Sequence, residues 1–329
     1  MTIAKTVIPF IFRNIPLLNS TSGLELIIPY YHLVSDDRIV HVRNLYQYKN
    51  RQQFIADLEF LCRKFEPISP HDLVDHVRNG KTLRRASFLL TFDDGYSQNY
   101  SIVAPILLQK GIPAIFFLST DFVNNWSLWY RNKASIIIEE ILLKRNLIQM
   151  NRQSLPRWLD VPFRDAPQKI LSVRYKDAKV LDEIAAACEI DFDEYLKRNQ
   201  PYLTSEQIRA MLKMGFHFGA HSKDHPFYSD LGIEEQLNQT LESIEFIKRE
   251  FNPPYSLFSF PHGDSAVGID FFPSIEKHVD MTFETGVRSV CSVPWNLPRI
   301  GFEKGALSAG KIMAYECAKK RIRRFIGQG

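Results

Sequence analysis

Ser87-Phe-Leu-Leu-Thr-Phe-Asp-Asp-Gly-Tyr96 is an apolar run that stops at two adjacent carboxylates. Ser87 to Phe92 has the length and composition of a strand buried on both faces, and Asp93-Asp94-Gly95 is turn chemistry at its C-terminal end. That end is where an α/β sheet or barrel carries its chemistry. A carboxylate there can act as a hard metal ligand or as a base, provided the rest of the chain brings partners to it.

Outward from this stretch the pattern is α/β. Ser97 to Gly111 reads as a helix that Pro105 kinks or delays and Gly111 stops. Pro113 to Leu118 is a second buried strand, which completes a βαβ unit with a right-handed crossover. Upstream, Leu24 to Val34 is the first strand, with Pro29 at an edge or bulge. His32 at its end is either a packed core histidine or, if this strand runs parallel to the one carrying Asp93, part of the same face. Phe54, Leu58 and Leu61 recur at helical spacing between Asn50 and Lys64, and a second short helix follows Pro70; its His71 and His76 are solvated.

Residues 122 to 202 break the rhythm and are too many for a plain loop, so a helical insertion with its own small core is predicted. It opens with Asn124-Asn-Trp-Ser-Leu-Trp-Tyr-Arg131. Trp126, Trp129 and Tyr130 there serve either packing or a sugar-stacking wall. Helices are predicted at Lys133–Leu147 and Val180–Ile190, with a proline-marked loop between them.

The rhythm resumes at Thr204-Ser-Glu-Gln207, a capping box opening a helix, and Gly215 to His221 is a strand. His221-Ser-Lys-Asp-His225 brings two imidazoles onto one face if it coils helically. Two neutral imidazoles and one carboxylate from the Asp-Asp turn would leave a divalent cation open positions for water and substrate, which is what hydrolysis needs. Zinc suits that donor set best, with Co2+, Ni2+ and Mn2+ as alternatives. Ile233 to Phe251 is an amphipathic helix with Leu237, Leu241, Ile244 and Ile247 inward; Tyr255–Phe260 and Phe283–Val290 are further strands.

The balance of charge over 329 residues, 41 Lys and Arg against 37 Asp and Glu, does not demand a nucleic-acid partner. Cys62, Cys188, Cys291 and Cys317 show no CxxC spacing and suit reduced thiols in the cytoplasm. Thr6-Val-Ile-Pro-Phe-Ile-Phe12 is apolar, but Arg13 and Pro16 interrupt it, so neither a secretory signal nor a membrane span is expected. The closing run Lys319-Lys-Arg-Ile-Arg-Arg-Phe-Ile326 is a solvated helix end or a polybasic contact with the inner face of a membrane.

Thr91-Phe-Asp-Asp-Gly95 and His221-Ser-x-x-His225 resemble the first two motifs of the polysaccharide deacetylase family, the NodB-homology domain of carbohydrate esterase family 4. Phe258-Ser-Phe-Pro-His-Gly263 resembles its third motif in a branch that lacks the usual arginine, Ser259 standing in its place and His262 in that of a tyrosine. The resemblance runs from Leu24 to Phe302, the insertion excepted. It implies a distorted (β/α) barrel over residues 24–310, flanked by an N-terminal segment 1–23 and a basic tail 311–329. It also implies a metal-dependent N-deacetylase acting on an acetylated amino-sugar saccharide, nucleotide- or lipid-linked, in surface glycan assembly. Carried over residue by residue, Asp94, His221 and His225 hold the metal, Asp93 is the base, and the backbone N–H of His262 joins the metal in stabilising the oxyanion. The fourth and fifth motifs are not legible. His32 or His262 is proposed as the missing acid, and Arg299 as a replacement cation tuning Asp93. Two other readings stay open, a carbohydrate-binding protein that has lost turnover and a hydrolase of a non-sugar amide.

Overall fold

Seven parallel strands close into a barrel, and their carboxyl ends all open at one mouth. A computed structural model of the chain describes residues 25–143, 159, 161–285 and 293–325. In chain order the strands are β1 (Leu26–Ile27), β2 (Pro29–Tyr31), β3 (Glu66–Pro67), β4 (Ser87–Phe88), β5 (Leu90–Phe92), β6 (Ala114–Leu118), β7 (His217–Ala220), β8 (Leu257–Ser259), β9 (Met281–Thr285) and β10 (Asn296–Gly301). The barrel order is β10-β2-β5-β6-β7-β8-β9; β1, β4 and β3 form a separate three-stranded sheet. The distorted (β/α) barrel expected from the sequence is therefore the observed architecture.

Two predicted strands are each divided between these sheets. Leu24–Val34 contributes β1 and then β2, and Ser87–Phe92 contributes β4 and then β5. Pro29 is the first residue of β2, a place that tolerates its missing N–H; its carbonyl still accepts from the Thr91 hydroxyl at 3.2 Å. The barrel interior is filled by Ile28, Leu89, Ile115, Phe117, Leu257, Met281, Phe283 and Leu297, all buried. Gly219 of β7 makes room for them, since a Cβ there would lie 2.6 Å from the Leu257 carbonyl.

The helices around the barrel carry their own start and stop chemistry. Asn50 and Gln53 form a capping box on Arg51–Lys64, and Ser69 and Asp72 form one on Pro70–Asn79, which left-handed Gly80 ends. The helix after the Asp-Asp turn begins as a wide π-helical turn, Asn99–Val103, and becomes α-helical only at Ala104, one residue before Pro105. The long helix Ile233–Phe251 is less apolar on its inner face than its leucines suggest: Gln236, Thr240 and Ser243 are buried, while Leu237 and Leu241 are only partly so. The polar side chains are satisfied locally, the Tyr228 hydroxyl lying 2.7 Å from Thr240 Oγ1 and Gln236 Nε2 donating to the Tyr228 carbonyl at 2.8 Å.

Between β6 and β7 lie helices Tyr130–Leu143, Ala166–Leu171, Lys179–Ala187 and Phe192–Asn199. Ile137, Ile141, Ile170, Leu181 and Ile184 bury one another there, in a cluster that continues to Leu33 and Val42 beside the barrel mouth. Residues 144–147 of the predicted first helix lie outside the described residues. So do the N-terminal segment 1–23, Cys291 and residues 286–290 of the strand predicted at 283–290.

Residue 310 lies in the first turn of a helix, Ala309–Phe325, whose first turns place Ala309, Ile312 and Met313 in the main core. A buried polar knot fastens it. Asp57 accepts from the Ala309 N–H at 2.7 Å, and Lys49 lies 3.4 Å from Asp57 while donating to the Leu307 carbonyl. Beyond Lys319 the cationic side chains are outside the described residues. Among the described residues no helix is long and apolar enough to cross a membrane.

Candidate active site

Asp93 and Asp94 leave β5 in opposite ways. Asp93 continues the strand, its N–H bonded to the Tyr31 carbonyl at 2.9 Å. Asp94 turns left-handed at φ 70°, and Gly95 repeats the turn at φ 70°. Glycine suits 95, because at this φ a Cβ would be strained and, 2.8 Å from Leu118 Cδ2, would push that side chain aside.

The turn sets Asp94 Oδ1 3.1 Å from His225 Nε2 and 3.5 Å from His221 Nε2. One ligand atom from each of these three buried residues lies within 4.8 Å of the others. His221 follows β7 directly, and its Nδ1 donates to the Ser259 carbonyl at 2.7 Å, which leaves the lone pair on Nε2, facing Asp94. His221 to His225 is not helical. Ser222 and His225 are both left-handed, at φ 64° and 61°, and the Ser222 hydroxyl accepts from the His225 N–H at 3.1 Å. A tight turn, rather than a helical face, brings the two imidazoles to 4.8 Å. Asp94 Oδ1 has no hydrogen-bond partner among the described residues although it is buried. Burial alone would raise the Asp94 carboxyl, but the His225 charge and hydrogen bonds from His221 and His225, at Nε2 positions that a cation would take over, hold it well below the usual carboxylate range; burial lowers the His225 pKa. An ionised oxygen and two imidazole lone pairs converging on one point fit a divalent cation.

Asp93 is closed where Asp94 is open. Arg299 comes from β10, points into the barrel, and grips Asp93 with both terminal nitrogens at 2.7 Å. Its remaining donors reach Thr91 Oγ1 at 3.0 Å, Ser259 Oγ at 2.6 Å and the Glu284 carbonyl at 3.2 Å, so all five N–H groups are used. The guanidinium lies over the Tyr30 ring at 4.8 Å and that of Phe117 at 5.5 Å. Burial pushes the Asp93 carboxyl up, the Arg299 charge outweighs it, and the carboxylate stays ionised.

His32 and His262 face the same cavity, about 460 Å³, with Asp93, Asp94, Tyr46 and Trp129. His32 Nδ1 lies 2.5 Å from Glu303 Oε2, and Glu303 Oε1 takes the backbone N–H groups of His32 and Leu33 at 3.0 and 2.8 Å. Burial by itself would lower the His32 pKa; the charges of Glu303 and Asp94 and the Glu303 hydrogen bond lift it to about 9. His262 is left-handed at φ 57° and its ring lies flat on Phe227 at 3.5 Å. Burial, with His225 beside it, lowers the His262 pKa to about 2. The seven residues singled out from the sequence thus come together, six on the cavity wall and Arg299 directly behind Asp93. The aromatic trio does not. Trp129 packs 4.3 Å from the His225 ring and Tyr130 packs against Tyr175, whereas Trp126 stands 62% exposed beside Phe246.

A family model for polysaccharide deacetylases matches residues 80–269, more than half of the chain. The chain belongs to the polysaccharide deacetylase family. No curated protein sequence matches it. Among solved structures it is similar to a deacetylase from Streptococcus pyogenes, PplD, in complex with acetate, at 14% identity and TM-score 0.58 over 89% of this chain and 98% of that one. It is also similar to IcaB from Ammonifex degensii at 15% identity and TM-score 0.57, over 89% and 97% of the two chains. A de-N-acetylase from Aggregatibacter actinomycetemcomitans matches at 15% and 0.53 over 88% and 99%. At such identities the likeness is one of fold.

Within this deacetylase scaffold, sequence reasoning passed over two groups. Glu303 lies two residues beyond β10 in no motif, and only its acceptance of the two N–H groups after β2 reveals it. The strand carrying Arg299 was also unrecognised, because Pro298 and Arg299 interrupt what would otherwise read as an apolar run.

Proposed function

We propose that this protein is a metal-dependent hydrolase that removes the N-acetyl group from an amino sugar of a nucleotide- or lipid-linked saccharide. What carries the reading is the convergence of Asp94, His221 and His225 beside an ionised Asp93, in a cavity large enough for a small saccharide. Asp94, His221 and His225 would hold a divalent cation, most simply zinc, which when bound supplies Lewis-acid polarisation of the acetamide carbonyl and makes water more acidic.

The chain's own residues do the rest. Asp93 takes a proton from the attacking water; each of its oxygens keeps a lone pair beyond the one Arg299 engages. Arg299 is a positioning residue, which fixes the plane of that carboxylate and keeps it ionised. His32 is the acid: Glu303 maintains it as imidazolium near neutral pH, and its Nε2 proton passes to the departing amine as the C–N bond breaks. His262, neutral and stacked, shapes the wall and offers its backbone N–H to the developing oxyanion. The products are acetate and a free amine.

The cationic run Lys319–Ile326 supports working at the cytoplasmic face of an anionic membrane, where lipid-linked saccharides are assembled. The deciding experiment is acetate release from acetylated amino-sugar donors by protein reconstituted in turn with Zn2+, Co2+, Ni2+ and Mn2+. Release that is lost on chelation and restored by metal is the expected result; no release with any of the four refutes turnover and leaves a binding protein.

A further inference from the structure

Among the described residues, pairing off the charges around the cavity leaves one cation over. Asp93 is matched by Arg299, Glu303 by His32, and Lys304 lies 2.7 Å from Glu316. Asp94 belongs to the cation site. Arg131 also lines the cavity, half-buried, and no carboxylate among the described residues pairs with it. Its Nη1 donates to the Leu171 carbonyl at 2.9 Å, which with the neighbouring Tyr130 hydroxyl anchors the guanidinium within the insertion and leaves further donors for a ligand. A half-buried guanidinium held in a cavity wall, with no carboxylate partner among the described residues, can still receive an anion, and its fork suits phosphate oxygens bidentately.

Resting on the reading above, we infer that Arg131 is a specificity-determining residue that binds a phosphate group joined to the acetylated sugar. The insertion then has a purpose in the reaction. It places Trp129 against His225 and Arg131 in the wall of the same cavity, so the sugar would be held at the proposed cation site while its phosphate is held by the insertion. A phosphate supplied by a nucleotide and one supplied by a lipid carrier present the same oxygens to Arg131.

The test compares kcat/KM for three substrates sharing one N-acetylhexosamine: its nucleoside-diphosphate derivative, its polyprenyl-diphosphate derivative and its uncharged methyl glycoside. Wild-type protein should prefer a diphosphate derivative, and which one it prefers identifies the source of the phosphate. In Arg131→Gln the ratio of diphosphate to methyl glycoside kcat/KM should fall by about 10- to 100-fold, mainly through KM, the usual range for one charge-assisted contact. Arg131→Lys should restore part of it. A wild-type preference for the methyl glycoside, or an equal loss on all three substrates in Arg131→Gln with no rescue by lysine, would overturn the inference while leaving deacetylation intact. Absence of acetate from every substrate would instead remove the function on which it rests.

Discussion

Asp93 and Asp94 are neighbours in sequence, equally buried, and built for opposite ends. Asp93 extends a strand and has both oxygens taken up by a guanidinium whose five donors are all engaged. Asp94 sits in a left-handed turn, its Oδ1 without a hydrogen-bond partner among the described residues and with two imidazole nitrogens within 3.5 Å. A low-dielectric site can keep two carboxylates ionised side by side only if each has its own compensating charge. The protein supplies one from β10; beside Asp94 it places His221 and His225, where the proposed cation would bind.

Exchanging one carboxylate at a time should separate the two roles. Asp93→Asn keeps the cation donors, so bound metal should stay at one equivalent while turnover falls by about 10²- to 10⁴-fold, the range of a lost general base. Asp94→Asn should lose the metal itself, with activity falling to background. Metal content by elemental analysis alongside acetate release distinguishes them; Asp94→Asn protein that still holds a full equivalent would erase the difference between the two aspartates.

Arg299→Met attacks the closed side. It strands the Asp93 charge inside the barrel, and losing one partner of a buried pair costs about 3–5 kcal/mol. Removing both in Arg299→Met with Asp93→Leu should recover much of that stability but no activity. Denaturant titrations of the two variants and the wild type give the comparison. If the single variant were as stable as wild type, the carboxylate would not depend on this arginine.

Most of this was legible from the sequence where chemistry and local pattern coincide. The Asp-Asp turn ends an apolar run, the paired histidines follow another strand, and parallel strands bring those ends together. Arg299 was legible as a cation for Asp93, but the strand that carries it and Glu303 were not, because both depend on distant contacts. Arg299 is the charge that an apolar-run reading counts against a strand, yet it lies inside the barrel because Asp93, Thr91, Ser259 and the Glu284 carbonyl are there to receive it. The histidine pair was legible for the wrong reason: its spacing suggests a helical face, whereas Ser222 and His225 fold it as a left-handed turn. Glu303 carries no local signal at all, since its meaning comes from a strand some 270 residues earlier.

The turn that opens Asp94 can be probed without touching a ligand. Gly95→Ala forces a Cβ into a left-handed residue and against Leu118, so stability should fall by about 1–3 kcal/mol. Because Asp94 would be displaced, metal affinity should fall with it. Gly111→Ala, equally left-handed but with open space around its Cβ, is the control: it should show the strain alone and leave metal affinity unchanged. Equal metal titrations for the two variants would mean that the turn does not aim Asp94.

The smallest effect concerns the third carboxylate, Glu303, which resembles Asp93 in being committed to a single cation. Because folding raises the His32 pKa from its ordinary 6.5 to about 9, the folded chain holds that proton more tightly than the unfolded chain does. The ion pair's contribution to stability is therefore complete below about pH 6.5 and disappears as pH rises through about 9. If His32 is the acid, kcat/KM should fall on the alkaline side with a midpoint near or somewhat below 9, since a cation beside Asp94 offsets part of the lift. Glu303→Gln removes the leading upward influence and leaves burial, which acts downward, so the midpoint should move toward or below 6.5. At pH 7 the loss would be only about tenfold, roughly one pKa unit of protonation. A metal-saturated pH profile that keeps its alkaline midpoint in Glu303→Gln would show that the proton reaching the amine comes from a group other than His32.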